Sequence, residues 1–178
     1  MKKTIIDLFE DSVVKYGAKT FLLEKKHRAF EPTTYAETRE QALETGAGLA
    51  AAGIRPGDKV AILSEGCNAW ITSELGVFYA GAVSVPLSVK LEESNDLLFR
   101  MRHAEVKAVF VSKYQLPKIR RIRAEFPDAA QRKAVLCAQG GTSWAAVLGC
   151  LVLLMVIGSA FTLLLGPNVD ALIHLVYG

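Results

Sequence analysis

The stretch that decides the fold is Gly53 to Ser64, which reads GIRPGDKVAILS. Its first half, GIRPGD, is rich in Gly, Pro and Asp, residues that favour tight turns. Its second half, Lys59 to Ser64, is a short run that is apolar enough to be buried on both faces of a sheet, as strands of parallel sheets are. A buried strand that directly follows a turn predicts the interior of a parallel sheet.

Helical and extended patterns alternate on both sides of this strand. Upstream we expect a helix opened by Thr4, with an apolar stripe of Ile5, Leu8, Phe9 and Val13 that Tyr16 could extend. A strand over 20–24, a charged turn over 25–28 and an extended edge segment over 29–33 follow, and then a helix from the Thr34–Glu37 capping box to Ala52. Downstream we expect helices over 68–80, near 94–104 and from Pro117 to about Phe126, with strands over 82–85 and 106–111. Strands that alternate with crossover helices predict an α/β fold, with a partial doubly wound, mostly parallel sheet and flanking helices.

The charges divide the chain into two different pieces. The formal net charge is only +3, and this weak basic excess demands no nucleic-acid partner. All 21 Lys and Arg residues lie between Lys2 and Lys133, and the 36 residues 134–169 carry no charged side chain. We therefore divide the chain into an N-terminal domain (1–127), a linker (128–143), a long apolar segment (144–165) and a short tail (166–178).

The apolar segment, Trp144 to Leu165, has the length of a transmembrane helix. Its 22 residues would span about 33 Å as a helix, enough for a hydrocarbon core of about 30 Å. Arg132 and Lys133 precede it and no Lys or Arg follows, so the positive-inside rule places the N-terminal domain in the cytoplasm and the C-terminus across the inner or plasma membrane. The predicted partner is thus membrane lipid; the alternative is a buried helix of a soluble domain.

No catalytic, cofactor-binding or metal-ligating residue is predicted. The cysteines and histidines lack metal-ligand spacing, Ser64-Glu65-Gly66 lacks the glycines of a nucleophile elbow, and Gly46-x-Gly48 lies inside a predicted helix. Trp70 and Tyr79 are predicted to be packing aromatics rather than ligand platforms. The basic cluster of Lys118, Arg120, Arg121 and Arg123 is predicted to be a solvated helix face, with contact to phosphate or acidic lipid as the alternative.

Four ordered stretches together resemble a known family. They are Thr33-Thr34-Tyr35-Ala36-Glu37, Gly53 to Ile62, Asn68-Ala69-Trp70 and Gly81-Ala82-Val83-Ser84-Val85-Pro86-Leu87. This series resembles the start of the AMP-forming adenylating enzymes, over residues 4 to about 126. The sequences of Ser64 to Trp70 and of Leu91 to Ser94 are most similar to those of bacterial long-chain fatty acid–CoA ligases.

The resemblance implies a two-step reaction that uses ATP, Mg and CoA, in which a fatty acid is adenylated and then transferred to the CoA thiol. The family's phosphate loop, adenine and ribose motifs and catalytic Lys all come later than residue 127. Gln139 to Ser143 is faintly similar to the phosphate loop, but no Lys follows it.

We therefore expect a truncated, catalytically incompetent N-terminal segment of such a ligase. The alternative is a membrane-anchored, non-catalytic interaction or regulatory module for a full-length synthetase, which would cover the apolar face that truncation exposes. A third reading is a working ligase whose missing motifs come from another chain.

Overall fold

The structure is a computed structural model that describes residues 3–91 and 96–122 and the backbone of residues 133–136. These residues all fall within one compact unit of the chain, residues 1–144. The predicted apolar segment 144–165, the tail 166–178 and both ends of the linker 128–143 lie outside the described residues. Among the helices that are described, none has the length and apolar character needed to cross a bilayer.

The described residues contain five α-helices and six strands, in an alternating order that confirms the α/β prediction. In chain order they are α1 Ile5–Tyr16, β1 Thr20–Lys26, β2 Ala29–Thr34, α2 Tyr35–Ala51, β3 Lys59–Leu63, α3 Asn68–Tyr79, β4 Val83–Pro86, α4 Leu98–His103, β5 Val106–Val111, α5 Leu116–Ile122 and β6 Lys133–Leu136.

Four of the strands form a parallel sheet in the order β4-β3-β5-β6. The GIRPGD turn leads into β3: the Asp58 carboxylate accepts a hydrogen bond from the Arg55 N–H at 2.8 Å, and Gly57 has φ of 85°, a value that favours glycine. The Val83 N–H donates to the Asp58 carbonyl at 2.8 Å, which ties the start of β4 to the same turn. The quoted stretch therefore forms an inner strand of the sheet, as predicted.

The remaining two strands, β1 and β2, form a separate antiparallel hairpin. The predicted charged turn over 25–28 is too long, because β1 continues through Lys26 and pairs it with Ala29. Only His27 and Arg28 remain to connect the strands, and His27 has φ of 55°. Two-residue hairpin loops commonly need this left-handed conformation. The longer pairing satisfies backbone groups that a four-residue turn would leave to solvent.

Helices cover both faces of the parallel sheet. On one face, α4, α5 and Leu97 just before α4 form a core with β3 and β5, which contains Leu97, Leu98, Met101, Ile119, Ile122, Ala61, Leu63, Val109 and Val111. Alternate residues of a strand point to opposite faces, so the buried Val60, Ile62 and Phe110 point to the other face, where α3 packs against β3 and β4. Helix α2 packs along α3, and the wall of α1, α2 and α3 completes the doubly wound arrangement.

Helix α1 presents a different face to the core from the one predicted. Thr4 caps the helix through a capping box with Asp7, as expected, but Ile5 and Leu8 are 60% and 55% exposed. The buried side contains Phe9, with Ile6 and Val13 packed beside it. The reason is aromatic packing: the Phe9 ring lies 5.5 Å from Phe21 between centroids, and this contact sets the rotation of the helix.

Strand β6 lies inside the stretch predicted as a linker. Its four residues pair in parallel with β5, from Ala108 opposite Lys133 to Val111 opposite Leu136. Four residues are too short for hydrophobic periodicity to reveal a strand. The pairing satisfies backbone groups along the side of β5 that faces away from β3, and for this reason the strand forms despite its weak sequence signal.

Candidate functional site

The strand order creates a switch point between β3 and β5. The chain leaves β3 through α3 on one face of the sheet and returns to β4, whereas it leaves β5 through α5 on the opposite face towards β6. The loops at the carboxyl ends of β3 and β5 therefore diverge. In open α/β sheets this crevice is where ligands bind, so its residues form the candidate site.

Two polar side chains meet across the crevice. Glu65 lies just after β3 and Gln115 just before α5, and the Gln115 amide donates to Glu65 Oε1 at 2.7 Å. The other two oxygens of the pair, Glu65 Oε2 and Gln115 Oε1, are buried and accept no hydrogen bond from the described residues. The crevice thus holds two acceptor oxygens that a hydrogen-bond donor would satisfy.

Two buried serines shape the loops beside this pair. The Ser64 hydroxyl donates to the Glu65 carbonyl at 3.0 Å, and the Ser112 hydroxyl accepts from the Gln115 N–H at 3.3 Å. The Cys67 Sγ lies 4.0 Å from the Ser64 Oγ, within hydrogen-bond reach of it. Both hydroxyls bond within their own loops, and the Ser112 hydroxyl also bonds to the Glu65 carboxylate. They therefore hold Glu65 and Gln115 in place.

Glu65 is held in its charged form. Burial acts to raise the pKa of its carboxyl, but hydrogen bonds from Gln115 and Ser112, with the charge of Lys118, outweigh burial and lower the pKa below its ordinary value. The edge of the sheet therefore presents a carboxylate and an amide oxygen. These groups would repel the phosphates of ATP rather than bind them, so the described crevice does not fit that cofactor, and no step of the family reaction is assigned to it.

Lys118 does not lie on the solvated face where the sequence analysis placed it. Its ammonium donates to the Val89 carbonyl at 2.6 Å and to the Leu91 carbonyl at 3.0 Å. It thereby fastens α5 to the loop that follows β4, because these two carbonyls offer acceptors that bulk solvent would otherwise supply. Arg120 and Arg121 are exposed as predicted, and Arg123 lies outside the described residues.

The prediction that Tyr79 is a packing residue is confirmed. Its hydroxyl donates to Glu10 Oε1 at 2.6 Å, and Arg39 Nε donates to both Glu10 oxygens at 2.8 Å. Burial, and secondly its bond to Glu10, raise the pKa of Tyr79, which keeps the phenol protonated. This network joins α1, α2 and α3 and has a packing role. Trp70 is partly buried in α3, and its role as a packing residue stays a prediction.

The remaining candidates give no further site. Within residues 3–91 and 96–122, no group of three or more His, Cys, Asp or Glu side chains could hold a metal ion. Cys137, Cys150, His174 and the stretch Gln139 to Ser143 lie outside the described residues. Sequence reasoning missed the pairing of Glu65 with Gln115, although both follow a strand end closely, a position that could have indicated it.

Comparison with known proteins gives a match over most of the chain. The family model of AMP-binding enzymes matches residues 9–148, past residue 126 where the resemblance was expected to end. The long-chain-fatty-acid–[acyl-carrier-protein] ligase AEE15 of Arabidopsis thaliana is 26% identical over 141 residues, or 79% of this chain and 19% of the relative. Long chain acyl-CoA synthetase 1 of the same plant is 32% identical over 61% of this chain and 17% of its own length. The chain thus spans about a fifth of these relatives.

Solved structures share the fold. The N-terminal domain of FACL13 from Mycobacterium tuberculosis has a TM-score of 0.69 at 24% identity and covers 83% of this chain and 36% of that one. The anthranilate CoA ligase AuaEII has a TM-score of 0.70 at 22% identity and covers 82% of this chain and 27% of that one. At these identities the similarity supports the fold alone. The family match, over residues 9–148, carries the assignment: the chain belongs to the AMP-binding enzyme family and resembles the N-terminal part of its acyl-CoA and acyl-carrier-protein ligases.

Proposed function

We propose that this chain is the N-terminal segment of an AMP-forming long-chain fatty acid–CoA ligase and that it supplies scaffold rather than catalytic groups. In the parent reaction a fatty acid carboxylate attacks ATP, which gives acyl-AMP and pyrophosphate, and the CoA thiol then displaces AMP to give acyl-CoA. The observation that carries this proposal is the family match over residues 9–148. The carboxylate at the strand edge, which does not suit phosphate, supports a scaffold role for the described part.

The long-chain preference rests on two supports of different kinds. One is the resemblance of the stretches Ser64 to Trp70 and Leu91 to Ser94 to bacterial long-chain fatty acid–CoA ligases. The other is the names of two plant relatives, a long-chain-fatty-acid–[acyl-carrier-protein] ligase and a long chain acyl-CoA synthetase. Other relatives are named for a different acid, such as the feruloyl-CoA synthase of Amycolatopsis, at 43% identity over 33% of this chain. ATP and CoA are the family's substrates, and Mg is proposed from the resemblance alone.

A chimera tests the scaffold role directly. Residues 9–136 would replace the matching segment of a working long-chain acyl-CoA ligase, and acyl-CoA formation from ATP, CoA and palmitate would be measured. We expect the chimera to retain activity and the chain alone, checked for cooperative unfolding, to release no pyrophosphate above a heat-killed control. Pyrophosphate release by the chain alone would contradict the scaffold role. The matched control is the same chimera with Gly76→Ala, which should lower its activity by destabilising the contact between α2 and α3, because a Cβ at Gly76 would lie 2.4 Å from Thr45.

We further propose that residues 144–165 anchor the chain in the inner or plasma membrane, with the N-terminal domain in the cytoplasm and the C-terminus across. The uncharged length of this segment and the basic residues before it support the proposal. Carbonate extraction of cell membranes tests it: the chain should stay in the pellet, and a variant with Leu154→Arg and Val156→Arg should be released. Recovery of the unmutated chain as a monodisperse soluble species would contradict the anchor.

A full-length synthetase, or another chain of this family, is the protein partner we propose. The described residues leave apolar side chains exposed on α1 and on the hairpin, among them Val14 at 86%, Phe30 at 65% and Leu23 at 59%. In a complete ligase such faces would be covered by later parts of the domain. Co-purification of the tagged chain with a full-length synthetase from the same cells would support this partner, and its loss with Phe30→Ser would locate the contact.

A further inference from the structure

The loops that follow β3, β4 and β5 all leave the sheet at its carboxyl edge, because these strands are parallel. Two hydrogen bonds continue the ladders just past the strand ends. The Leu87 N–H donates to the Ile62 carbonyl at 2.9 Å, and the Ser112 N–H donates to the Leu63 carbonyl at 3.1 Å. The three loops therefore start side by side, with the loop after β3 in the middle. In open α/β sheets ligands bind at this edge, so the arrangement of the loops decides what can bind there.

The loop after β5 leads into α5, and helical hydrogen bonding begins slightly before the helix itself. The Leu116 N–H donates to the Ser112 carbonyl at 2.9 Å, and the Lys118 N–H donates to the Gln115 carbonyl at 3.0 Å. Gln115 therefore belongs to the first helical turn, although α5 begins at Leu116. Side chains three residues apart in a helix lie on the same side, so those of Gln115 and Lys118 are neighbours.

Each of these two side chains binds a different loop. The Gln115 amide donates to Glu65 Oε1 at 2.7 Å, in the loop after β3. The Lys118 ammonium donates to the Val89 carbonyl at 2.6 Å and to the Leu91 carbonyl at 3.0 Å, in the loop after β4. The start of one helix is thus bonded to both neighbouring loops.

Helix α5 is too short to hold its shape without such contacts. It has seven residues, and isolated helices shorter than about 12 residues are marginal in water. Ile119 and Ile122 bury it in the core on one face of the sheet, whereas Gln115 and Lys118 fix its first turn. Loss of either polar contact should therefore loosen that turn and, with it, the other contact.

We propose that the first turn of α5, through Gln115 and Lys118, is a brace that joins the loops after β3 and β4 into one unit. The two loops then open and close together, as contiguous cooperative units of a structure do. The brace gives the carboxyl edge two states, braced and open, in place of loops that move independently. It is a property of the described domain and does not depend on the proposed ligase function.

Native-state hydrogen exchange of the full chain tests the brace, because one amide reports on each loop. The Trp70 N–H, bonded to the Cys67 carbonyl at 3.1 Å, reports on the loop after β3. The Leu91 N–H, bonded to the Ser88 carbonyl at 3.1 Å, reports on the loop after β4. Exchange at both reporters would be measured in the unmutated chain and in variants of the two brace residues.

Gln115→Met and Lys118→Met each remove one contact of the brace. Either substitution alone should speed exchange at both reporters at least about fivefold, since the loss of one contact releases both loops. The double variant should exchange less than about twofold faster than the faster single variant, because contacts within one network are not additive. The amides of β3 should keep their protection in all three variants.

Control variants separate the brace from general effects of substitution. Lys113→Met removes a charge from the turn before α5, and Gln41→Met removes a partly buried amide from α2. Both should leave the two reporters unchanged. Gln115→Asn, which shortens the side chain by one methylene and withdraws the amide from Glu65, is the milder variant to use if Gln115→Met does not fold. It should act on both reporters as Gln115→Met does.

The brace is overturned if Gln115→Met speeds exchange only at Trp70 and Lys118→Met only at Leu91, since the loops are then held separately. It is also overturned if the β3 amides speed up as much as the reporters, because α5 would then support the whole sheet and not its edge. No change at either reporter would mean that the two contacts hold neither loop.

Discussion

The two faces of the parallel sheet are covered in different ways. On the side of α1, α2 and α3, contacts depend on specific shapes: the Phe9, Phe21 and Tyr35 rings pack together, and Gly46 and Gly76 lie where α2 and α3 meet. On the side of α4 and α5, the core is a cluster of mostly aliphatic side chains. The α1–α3 side therefore fixes the orientation of its helices, whereas the α4–α5 side mainly fills the core.

The difference extends to the polar contacts. On the α1–α3 side, Glu10 receives hydrogen bonds from Arg39 and Tyr79, so one carboxylate joins three helices. On the α4–α5 side, Lys118 bonds to the Val89 and Leu91 backbone carbonyls, which stay in the loop whatever side chains it carries. We expect substitutions on the α1–α3 side to lower the free energy of unfolding, because they disturb ring packing and ion pairing. Substitutions on the α4–α5 side should be tolerated when they conserve side-chain volume.

The largest effect is expected from Phe9→Ala. Phe9 is 7% exposed within the aromatic cluster, and its truncation should lower the free energy of unfolding by about 3 kcal/mol or more. On the other side of the sheet, Met101→Leu conserves volume and should cost less than about 1.5 kcal/mol. Urea unfolding followed by circular dichroism measures both. Leu8→Ala, at a residue 55% exposed, is the matched control and should stay within about 0.5 kcal/mol.

If Leu8→Ala costs as much as Phe9→Ala, the buried face of α1 has been assigned incorrectly. If Met101→Leu lowers the free energy of unfolding as much as Phe9→Ala does, the aliphatic side is packed as specifically as the aromatic side.

The next effect concerns the contact between α2 and α3. A Cβ at Gly76 would lie 2.4 and 2.6 Å from the side-chain carbons of Thr45, so Gly76→Ala should separate the helices and cost about 2 kcal/mol. Gly66→Ala is the matched control, because a Cβ there would meet nothing within 4 Å. Thermal unfolding compares the two variants. A stable Gly76→Ala protein would show that α2 and α3 can move apart without loss.

Sequence reasoning was strong where local patterns decide the structure. Strand β3 was predicted because Lys59 to Ser64 is a buried run after a turn, and the Thr34–Glu37 capping box marked the start of α2. The pattern failed to predict the buried face of α1, because Ile5, Leu8 and Phe9 satisfy helical spacing as well as Ile6, Phe9 and Val13 do. The rings of Phe21 and Tyr35, which are distant in sequence, decide between the two faces.

The candidate site depended on contacts that no local pattern contains. Glu65 and Gln115 are 50 residues apart, and they meet only because β3 and β5 are neighbours in the sheet. Lys118 was grouped with Arg120 and Arg121 because it adjoins them in sequence. Its capture by the Val89 and Leu91 carbonyls depends instead on where the loop after β4 passes.

Glu10 gives a prediction with a defined pH dependence. Burial acts to raise its pKa, but bonds from Tyr79 and Arg39 and the charge of Arg39 lower the pKa below its ordinary value. The stability this provides is fully present above the unfolded pKa of about 4.3 and is lost as pH falls through the folded pKa. At pH 7, Glu10→Gln should therefore cost about 1 kcal/mol, a figure kept low because the carboxylate is partly exposed.

Between pH 7 and pH 3 the cost of Glu10→Gln should shrink, because protonation of the unmutated carboxyl progressively removes its advantage over the amide. Urea unfolding at both pH values provides the measurement, with Glu40→Gln as the control at an exposed carboxylate of α2. A cost for Glu10→Gln that does not change between pH 7 and pH 3 would mean that the pairing adds no stability.

The smallest effect is expected from Lys118→Met, which tests the polar contact on the α4–α5 side. Methionine keeps most of the side-chain volume but removes the donors to Val89 and Leu91, so the free energy of unfolding should fall by less than about 1 kcal/mol. The change should be local, because Lys118 holds one loop rather than a helix pair. Hydrogen exchange of the Lys90 and Leu91 amides, which bond to Ser88, should speed up while the β3 amides stay protected. Lys113→Met, at an exposed lysine in the turn before α5, should leave both the stability and the exchange rates unchanged. Faster exchange throughout the sheet would instead mean that this single lysine supports the whole α4–α5 side, and the contrast between the two faces would no longer hold.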